Sequence, residues 1–411
     1  MNTLKFITAG NVDDGKSTLI GRLLYDSNSI STDHLGVLAS TNEIGQETID
    51  LALITDGLRA EREQGITIDV AYKYFATERR KFIIADAPGH QQYTRNMVTA
   101  ASVSDLIIIL IDARKGITEQ TKRHAAVASL MGIKKVIVAI NKMDLIGYDV
   151  AVYEEIKRGF EGLNKQFNFS ELIYIPISAL NGDNIVSLSS NTHWYKGKPL
   201  LEVLETVEVD TQLENNARFQ VQWVIRPQTK GYLDYRGYAG AVLSGDFNLG
   251  DHVRILPSNI SAQIIGIEKN LQSVDKAVAG ENVVLHFDAD IDISRGDTIF
   301  LDIEDAPITG NQLNSWISWL DNQALQLGKT YILQHRFHSV RVKIKSINKK
   351  WDVNTLEFLP AQELQLNDIA QISLQTNQPL HYDAFATNSK TGNAILIDET
   401  SYDTVGALMF L

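Results

Sequence analysis

Two patterns of apolar and polar positions divide the chain. Through about residue 210, short apolar runs alternate with helix-like stretches. The runs are KFITA from Lys5, KFIIAD ending at Asp86, DLIIILID ending at Asp112, KKVIVAIN ending at Asn141 and LIYIPIS ending at Ser178. Each is short, continuously apolar and rich in isoleucine or valine, as a parallel strand covered on both faces must be. Helices are predicted at Thr18–Leu24, Thr94–Ala101, Thr118–Leu130, Tyr153–Phe167 and Leu200–Val207. This alternation predicts an α/β domain with a doubly wound, mostly parallel sheet.

From about Asn216 the pattern changes to short alternating segments such as RFQVQWVI, AQIIGIE, VRVKIKSI and NAILID, separated by turns such as LSGDFNLGDHV and ISRGDTI. Many short strands with little helix predict β-barrels or sandwiches. About 200 residues exceed one small barrel, so a division near Asp305–Ala306 is expected. The expected domains are 1–212 for the α/β part, then 213–305 and 306–411 for two β-barrels.

Composition narrows the partners and the compartment. Of the residues, 44% are hydrophobic, enough for buried cores, and the net charge is −12. That balance gives no general electrostatic pull towards nucleic acid or an anionic membrane. Cysteine is absent, which excludes disulfides, thiolate metal sites and cysteine nucleophiles. The longest strongly apolar run, Leu106–Ile111, is far below the ~20 residues of a membrane span. KFITAG leads into a glycine loop too early to leave room for a signal peptide, so a cytoplasmic protein is expected.

The loop is GNVDDGKS: Gly10, Asn11, Val12, Asp13, Asp14, Gly15, Lys16 and Ser17, with Thr18 opening a helix. Its glycines let backbone amides curl around phosphate oxygens, Lys16 can reach the β- and γ-phosphates, and Ser17 can ligate Mg²⁺. The helix start places positive potential at the same point. On its own the match could be a glycine turn before a helix, but four further stretches argue for a nucleotide site. In DAPGH, Asp86 can hold Mg²⁺ through water, with Ala87, Pro88, Gly89 and His90 beyond it; the Gly89 amide can meet a γ-phosphate. In NKMD, Asn141, Lys142 and Asp144 end another strand, and a carboxylate there can accept two hydrogen bonds from guanine N1 and N2. The amides of Ser178, Ala179 and Leu180 could meet guanine O6, and Thr67 in EQGITID can close over Mg²⁺ and the γ-phosphate. All lie at the sheet edge where doubly wound folds bind ligands, in the order of a GTPase.

The series GNVDDGKS, GITI, DAPGH, NKMD and SAL resembles the translation-factor class of GTPases, as do two barrels after the GTPase domain. The resemblance implies that His90 orients the attacking water and is the catalytic residue beside Lys16 and Thr67. It also implies that Val12 and Ile66 gate His90 and that Asp13 assists with a monovalent cation. The longer stretches GNVDDGKSTLIGRLLYDS, DGLRAEREQGITIDVAYKYF, RKFIIADAPGHQQYTRNMVTAAS and LIDARKGITEQTKRH resemble the GTPase subunit of bacterial sulfate adenylyltransferase, through VQWVIRP and DIDISRGD to TGNAILID. At Ser389 the chain departs from that family's usual Arg, and the final ALMFL is also unusual.

The resemblance implies GTP and Mg²⁺ as cofactors and a catalytic ATP-sulfurylase subunit as partner, in a heterodimer or higher assembly. On that partner ATP and sulfate would become adenosine 5′-phosphosulfate and pyrophosphate, driven by GTP hydrolysis on this chain. Neither H-x-G-H nor S-G-G-x-D-S occurs, nor a second G-x-x-x-x-G-K-[ST] loop, and no fused adenylylsulfate kinase is expected. No nucleic acid or membrane partner is expected. The alternative is an elongation-factor-type GTPase delivering aminoacyl-tRNA, and a third reading is a regulatory GTPase without chemical coupling.

Three remaining features have plain structural readings. His335–Lys350 holds six Lys or Arg residues and no acid; Arg341, Lys343 and Lys345 alternate with Val342 and Ile344. They form a solvated barrel face or a docking surface for an acidic partner. Trp316 and Trp319 are expected to pack in a barrel. His335 and His338 lack further His or Cys nearby to complete a metal site.

Overall fold

The all-apolar runs become the centre of a sheet. The structure, a computed structural model, describes residues 3–27, 70–88, 94–167, 169–208, 216–227, 235–352 and 355–411; the side chains of Thr94 and Arg95 are not among them. In the N-terminal unit the described strands are β1 (Thr3–Ala9), β2 (Ala71–Ala76), β3 (Lys81–Asp86), β4 (Leu106–Asp112), β5 (Lys135–Asn141) and β6 (Glu171–Pro176). Their order is β2-β3-β1-β4-β5-β6. All neighbours pair in parallel except β2, which runs antiparallel to β3. Every residue of β4 is buried, because helices cover both faces of a parallel sheet.

The described helices are α1 (Lys16–Asp26), α2 (Thr94–Ala101), α3 (Glu119–Leu130), α4 (Val150–Phe167) and α5 (Leu200–Thr206). Thr118 and Thr121 cap α3 reciprocally, each side-chain oxygen accepting the other's amide at 3.2 Å, which satisfies two amides that a helix start leaves without partners. Two departures from the sequence reading have physical causes. α1 starts at Lys16, two residues early, because Gly15 caps it at φ 94°. β2 was not among the predicted runs; it is an exposed edge strand whose burial alternates only weakly, with Tyr72 and Tyr74 in solvent.

The second unit is entirely strands and turns among its described residues. Its first barrel region contains β7 (Arg218–Ile225), β8 (Gly237–Ser244), β9 (Asp246–Asn248), β10 (His252–Leu256), β11 (Ile260–Lys269), β12 (Gln272–Ser273), β13 (Lys276–Val278), β14 (Asn282–Phe287) and β15 (Thr298–Leu301). The order β10-β15-β7-β8-β14-β11 closes through β10–β11 pairing, a six-stranded barrel. Then come β16 (Ile308–Trp319), β17 (Thr330–His335), β18 (His338–Asp352), β19 (Glu357–Leu359), β20 (Ile369–Tyr382), β21 (Asn393–Asp398) and β22 (Thr404–Phe410). Here β17-β21-β22-β16-β20-β18 closes through β17–β18. Closure leaves no free edges on either six-stranded ring.

A buried ion pair joins the two barrels. Arg218 on β7 is wholly buried and donates through Nε and Nη2 to the Asp383 carboxylate just after β20, at 3.0 and 2.8 Å. Its remaining N–H groups reach Asp305 O and Ala217 O, and Thr391 Oγ1 donates to Asp383 at 2.5 Å. Nearby, Asn388 donates to Ser244 Oγ across the same junction at 2.7 Å. Ser389, half-buried, follows it.

The alternation read on β18 is present: Val340, Val342 and Ile344 face the core while Arg341, Lys343 and Lys345 are exposed. The two tryptophans separate. Trp319 is in the core, its indole donating to Gln323 O at 2.7 Å. Trp316 lies half-buried with Trp351 and Phe358, at ring distances of 6.1 and 5.8 Å. A spacing of three on a strand sends side chains to opposite faces. His335 is buried edge-on against Phe410, with Nε2 2.8 Å from Thr391 O. The described residues contain no group of three potential metal ligands among His, Cys, Asp and Glu.

Candidate functional site

Four segments meet at the carboxyl edge of the parallel strands. Residues 10–15 follow β1, Asp86 ends β3, Asn141 ends β5 and Ser178 comes two residues after β6. Asp13 and Gly15 both take the left-handed conformation. At Gly15 this favours glycine, and a Cβ there would fall 2.4 Å from Asn141 Nδ2. The loop therefore packs against the NKMD strand too closely for any side chain at that position.

Inside the loop, Asp14 Oδ2 accepts the Asn11 amide at 2.7 Å, and Asn11 Oδ1 accepts the Val12 amide at 2.8 Å. Asp14 Oδ1 is buried without a hydrogen-bond partner, and burial raises this carboxyl's pKa. Lys16, 8% exposed, donates to Gly10 O at 2.9 Å and Asn11 O at 3.0 Å. Burial pushes its pKa down, opposed by the more distant charges of Asp86, Asp14 and Asp13. Among the described residues it forms no carboxylate ion pair. Along α1, Leu19 donates to Gly15 O at 2.9 Å. Lys16, Ser17 and Thr18 precede it, in the turn whose amides have no intrahelical acceptor. A buried ammonium beside such a turn is a cradle for a polyanion, and these residues fit a nucleotide triphosphate. Thr8 Oγ1 donates to Asp86 Oδ1 at 3.2 Å, while Ala87 and Pro88 continue into the interior.

Asn141 fastens the base side to the phosphate side. Its Nδ2 donates to Asp14 O at 2.7 Å, and its Oδ1 accepts the Ala179 amide at 2.9 Å. It is 2% exposed, and these two bonds tie the phosphate loop to the SAL loop while one Nδ2 hydrogen remains for a further acceptor. The SAL amides divide accordingly. Ser178 N–H is bonded to Asp183 O and Ala179 N–H to Asn141 Oδ1, while Leu180 is exposed at the loop tip. Lys142, also left-handed, donates to Asp13 O. Asp144 is half-exposed in the short turn Met143–Ile146.

The structure adds residues that the sequence reading passed over. Arg22 on α1 donates to the carbonyls of Ala179 and Leu180, so the helix that begins the phosphate loop also anchors SAL. Asp112, fully buried at the end of β4, binds Arg114 and Lys142. Burial alone would raise its pKa, but hydrogen bonds from Arg114 and Lys142 hold it well below the usual carboxylate range. A carboxylate ending an apolar run one strand from the phosphate loop is the signal that could have found it. Thr67, Ile66, Gly89 and His90 lie outside the described residues.

The Elongation factor Tu GTP binding domain family matches residues 1–209, and the GTP-eEF1A C-terminal domain-like family matches residues 312–410. Fold and site therefore define a GTPase of the elongation-factor class. Sulfate adenylyltransferase subunit 1 of Psychromonas ingrahamii is 46% identical over 99% of this chain and 86% of its own length, and that of Teredinibacter turnerae is 48% identical over the same shares. The Bifunctional enzyme CysN/CysC of Mycobacterium tuberculosis is 46% identical over 99% of this chain and 67% of its own. The chain belongs to the sulfate adenylyltransferase subunit 1 family. Among the described residues, no helix is long and apolar enough to cross a membrane.

Proposed function

We propose that this chain hydrolyses GTP to drive sulfate activation on a separate catalytic subunit in the cytoplasm. On that partner, sulfate attacks the α-phosphorus of ATP, pyrophosphate leaves and adenosine 5′-phosphosulfate forms. Here water attacks the γ-phosphorus of GTP, giving GDP and inorganic phosphate. The observation that carries this reading is the 46–48% identity along 99% of the chain to proteins named as one subunit of a sulfate adenylyltransferase.

The site supports the nucleotide half. Lys16 neutralises the β- and γ-phosphates, Asn141 and Lys142 hold the base and phosphate loops together, and Asp144 accepts from guanine. Ser17 and Thr67 would hold Mg²⁺, with Asp86 reaching it through water; the metal supplies positive charge to phosphate oxygens. His90 positions the attacking water. We assign domain limits of 1–212, 213–305 and 306–411 to this working unit.

The test is sulfate-dependent pyrophosphate release by the complex copurified with this chain. GTP should accelerate it and GDP should not. A rate indifferent to GTP would overturn the coupling, and copurification with tRNA in place of a nucleotidyl-transferring subunit would favour the carrier reading.

A further inference from the structure

Asp112 is a carboxylate at the carboxyl edge that the nucleotide chemistry above does not use. Its side chain is fully buried, and both oxygens are engaged. Oδ1 accepts the Arg114 amide and Arg114 Nε, each at 3.0 Å. Oδ2 accepts Arg114 Nη2 at 2.6 Å and lies 3.2 Å from Lys142 Nζ. Lys142 in turn donates to Asp13 O in the phosphate loop. One carboxylate oxygen therefore serves two cations with different surroundings: Lys142 is 22% exposed and spans the nucleotide loops, while Arg114 is 46% exposed. Among the described residues Arg114 hydrogen-bonds to no side chain other than Asp112.

We propose that Asp112 is a positioning residue for guanine-nucleotide binding that acts through Lys142, and that Arg114 competes with Lys142 for the shared oxygen. The inference rests on the nucleotide site proposed above and deepens it. A lysine carries four rotatable bonds, and holding its ammonium against a backbone carbonyl in a half-open site loses entropy. The fixed, ionised carboxylate reduces that loss by favouring the same rotamer before nucleotide arrives. Arg114 makes the shorter contact to Oδ2, so it withdraws part of the acceptor strength that Lys142 would otherwise feel. A group that captured Arg114 from outside would return it.

The test uses the full chain and a fluorescent GDP analogue. Asp112→Asn, which keeps the shape and removes the charge, should weaken GDP binding by about tenfold, the size of coupling expected between contacting charged groups. In a Lys142→Gln background the same change should have little further effect, since the path runs through that ammonium. Additive losses in the two backgrounds would identify a merely structural carboxylate and overturn the proposal. Arg114→Gln removes a half-exposed side chain and should fold even if Asp112→Asn does not. It should bind GDP at least as tightly as the parent chain, and weaker binding would overturn the competition. Failure of the unsubstituted chain to bind GDP would instead sink the nucleotide-site reading itself.

Discussion

Lys16 and Arg218 are both buried cations, and their surroundings differ in kind. Arg218 sits between the barrels with a bidentate carboxylate and two carbonyls around its guanidinium. Among the described residues, Lys16 hydrogen-bonds only to the carbonyls of Gly10 and Asn11, beside the half-partnered carboxylate of Asp14. A buried charge is unfavourable unless paired and hydrogen-bonded, so the first arrangement is complete as it stands and the second is not. The difference separates a residue that holds the scaffold from one that, in the function proposed above, meets the phosphates. It also explains why pKa perturbation alone does not mark function: burial lowers the pKa of both His335 and Lys16, but His335 sits in the scaffold of the second barrel while Lys16 lies in the phosphate loop with no carboxylate ion pair among the described residues.

The largest expected effect comes from breaking the complete arrangement. Arg218→Leu leaves Asp383 buried with Thr391 as its remaining side-chain donor among the described residues, and should destabilise the barrel unit by about 3–5 kcal/mol. Chemical denaturation of the variant checks this. Changing both partners, Arg218→Met with Asp383→Leu, should recover much of the loss, because the penalty comes from the stranded charge. No recovery would mean that Arg218 contributes mainly through packing. Next comes the incomplete arrangement. Lys16→Gln should lower GTP hydrolysis by roughly 10²–10³-fold, as removal of one stabilising group from a charged transition state does. Its thermal stability should be unchanged or higher, since an unpaired buried ammonium is removed. Lys16→Gln destabilised as much as Arg218→Leu would erase the contrast.

How much of this was legible in the sequence depends on which contacts are local. The parallel strands were readable because β3, β1, β4 and β5 are nearly all apolar, and the loop residues 10–18 because their chemistry is contiguous. β2 escaped because an edge strand has no fully buried pattern. Asn141 stood in the sequence as part of NKMD; only the fold shows its amide nitrogen and oxygen bonded to loops 127 and 38 residues away in the chain. Arg218 and Asp383, 165 residues apart, carried no local signal at all. The Trp316 and Trp319 separation follows from strand alternation and was available once β16 was known as a strand through both residues.

The smallest expected effect concerns titration inside the scaffold. Burial lowers the pKa of His335 from 6.5 to about 4. The Thr391 carbonyl and the charge of Asp383 oppose this, while Arg336 and His338 add to it. The carbonyl requires Nε2 to carry the hydrogen in the neutral ring. Because the folded value lies below the unfolded one, the unfolded chain binds more protons between those limits. Stability is therefore full above about pH 6.5 and is lost as pH falls towards 4, by up to about 3 kcal/mol for this one group. His124 in the N-terminal unit is held lower still, at about 3, by burial with help from Lys16 and Arg123, so the overall acid slope does not isolate His335. The difference between the parent chain and His335→Gln does. Glutamine can still donate to Thr391 O but cannot gain a charge, so the variant should lose less stability between pH 6.5 and 4, by about 1.4 kcal/mol per pH unit at the steepest. Parallel curves would mean that the barrel admits the protonated ring without penalty, and the contrast between the paired cation of the scaffold and the cation of the phosphate loop would then not extend to the interior of the second barrel.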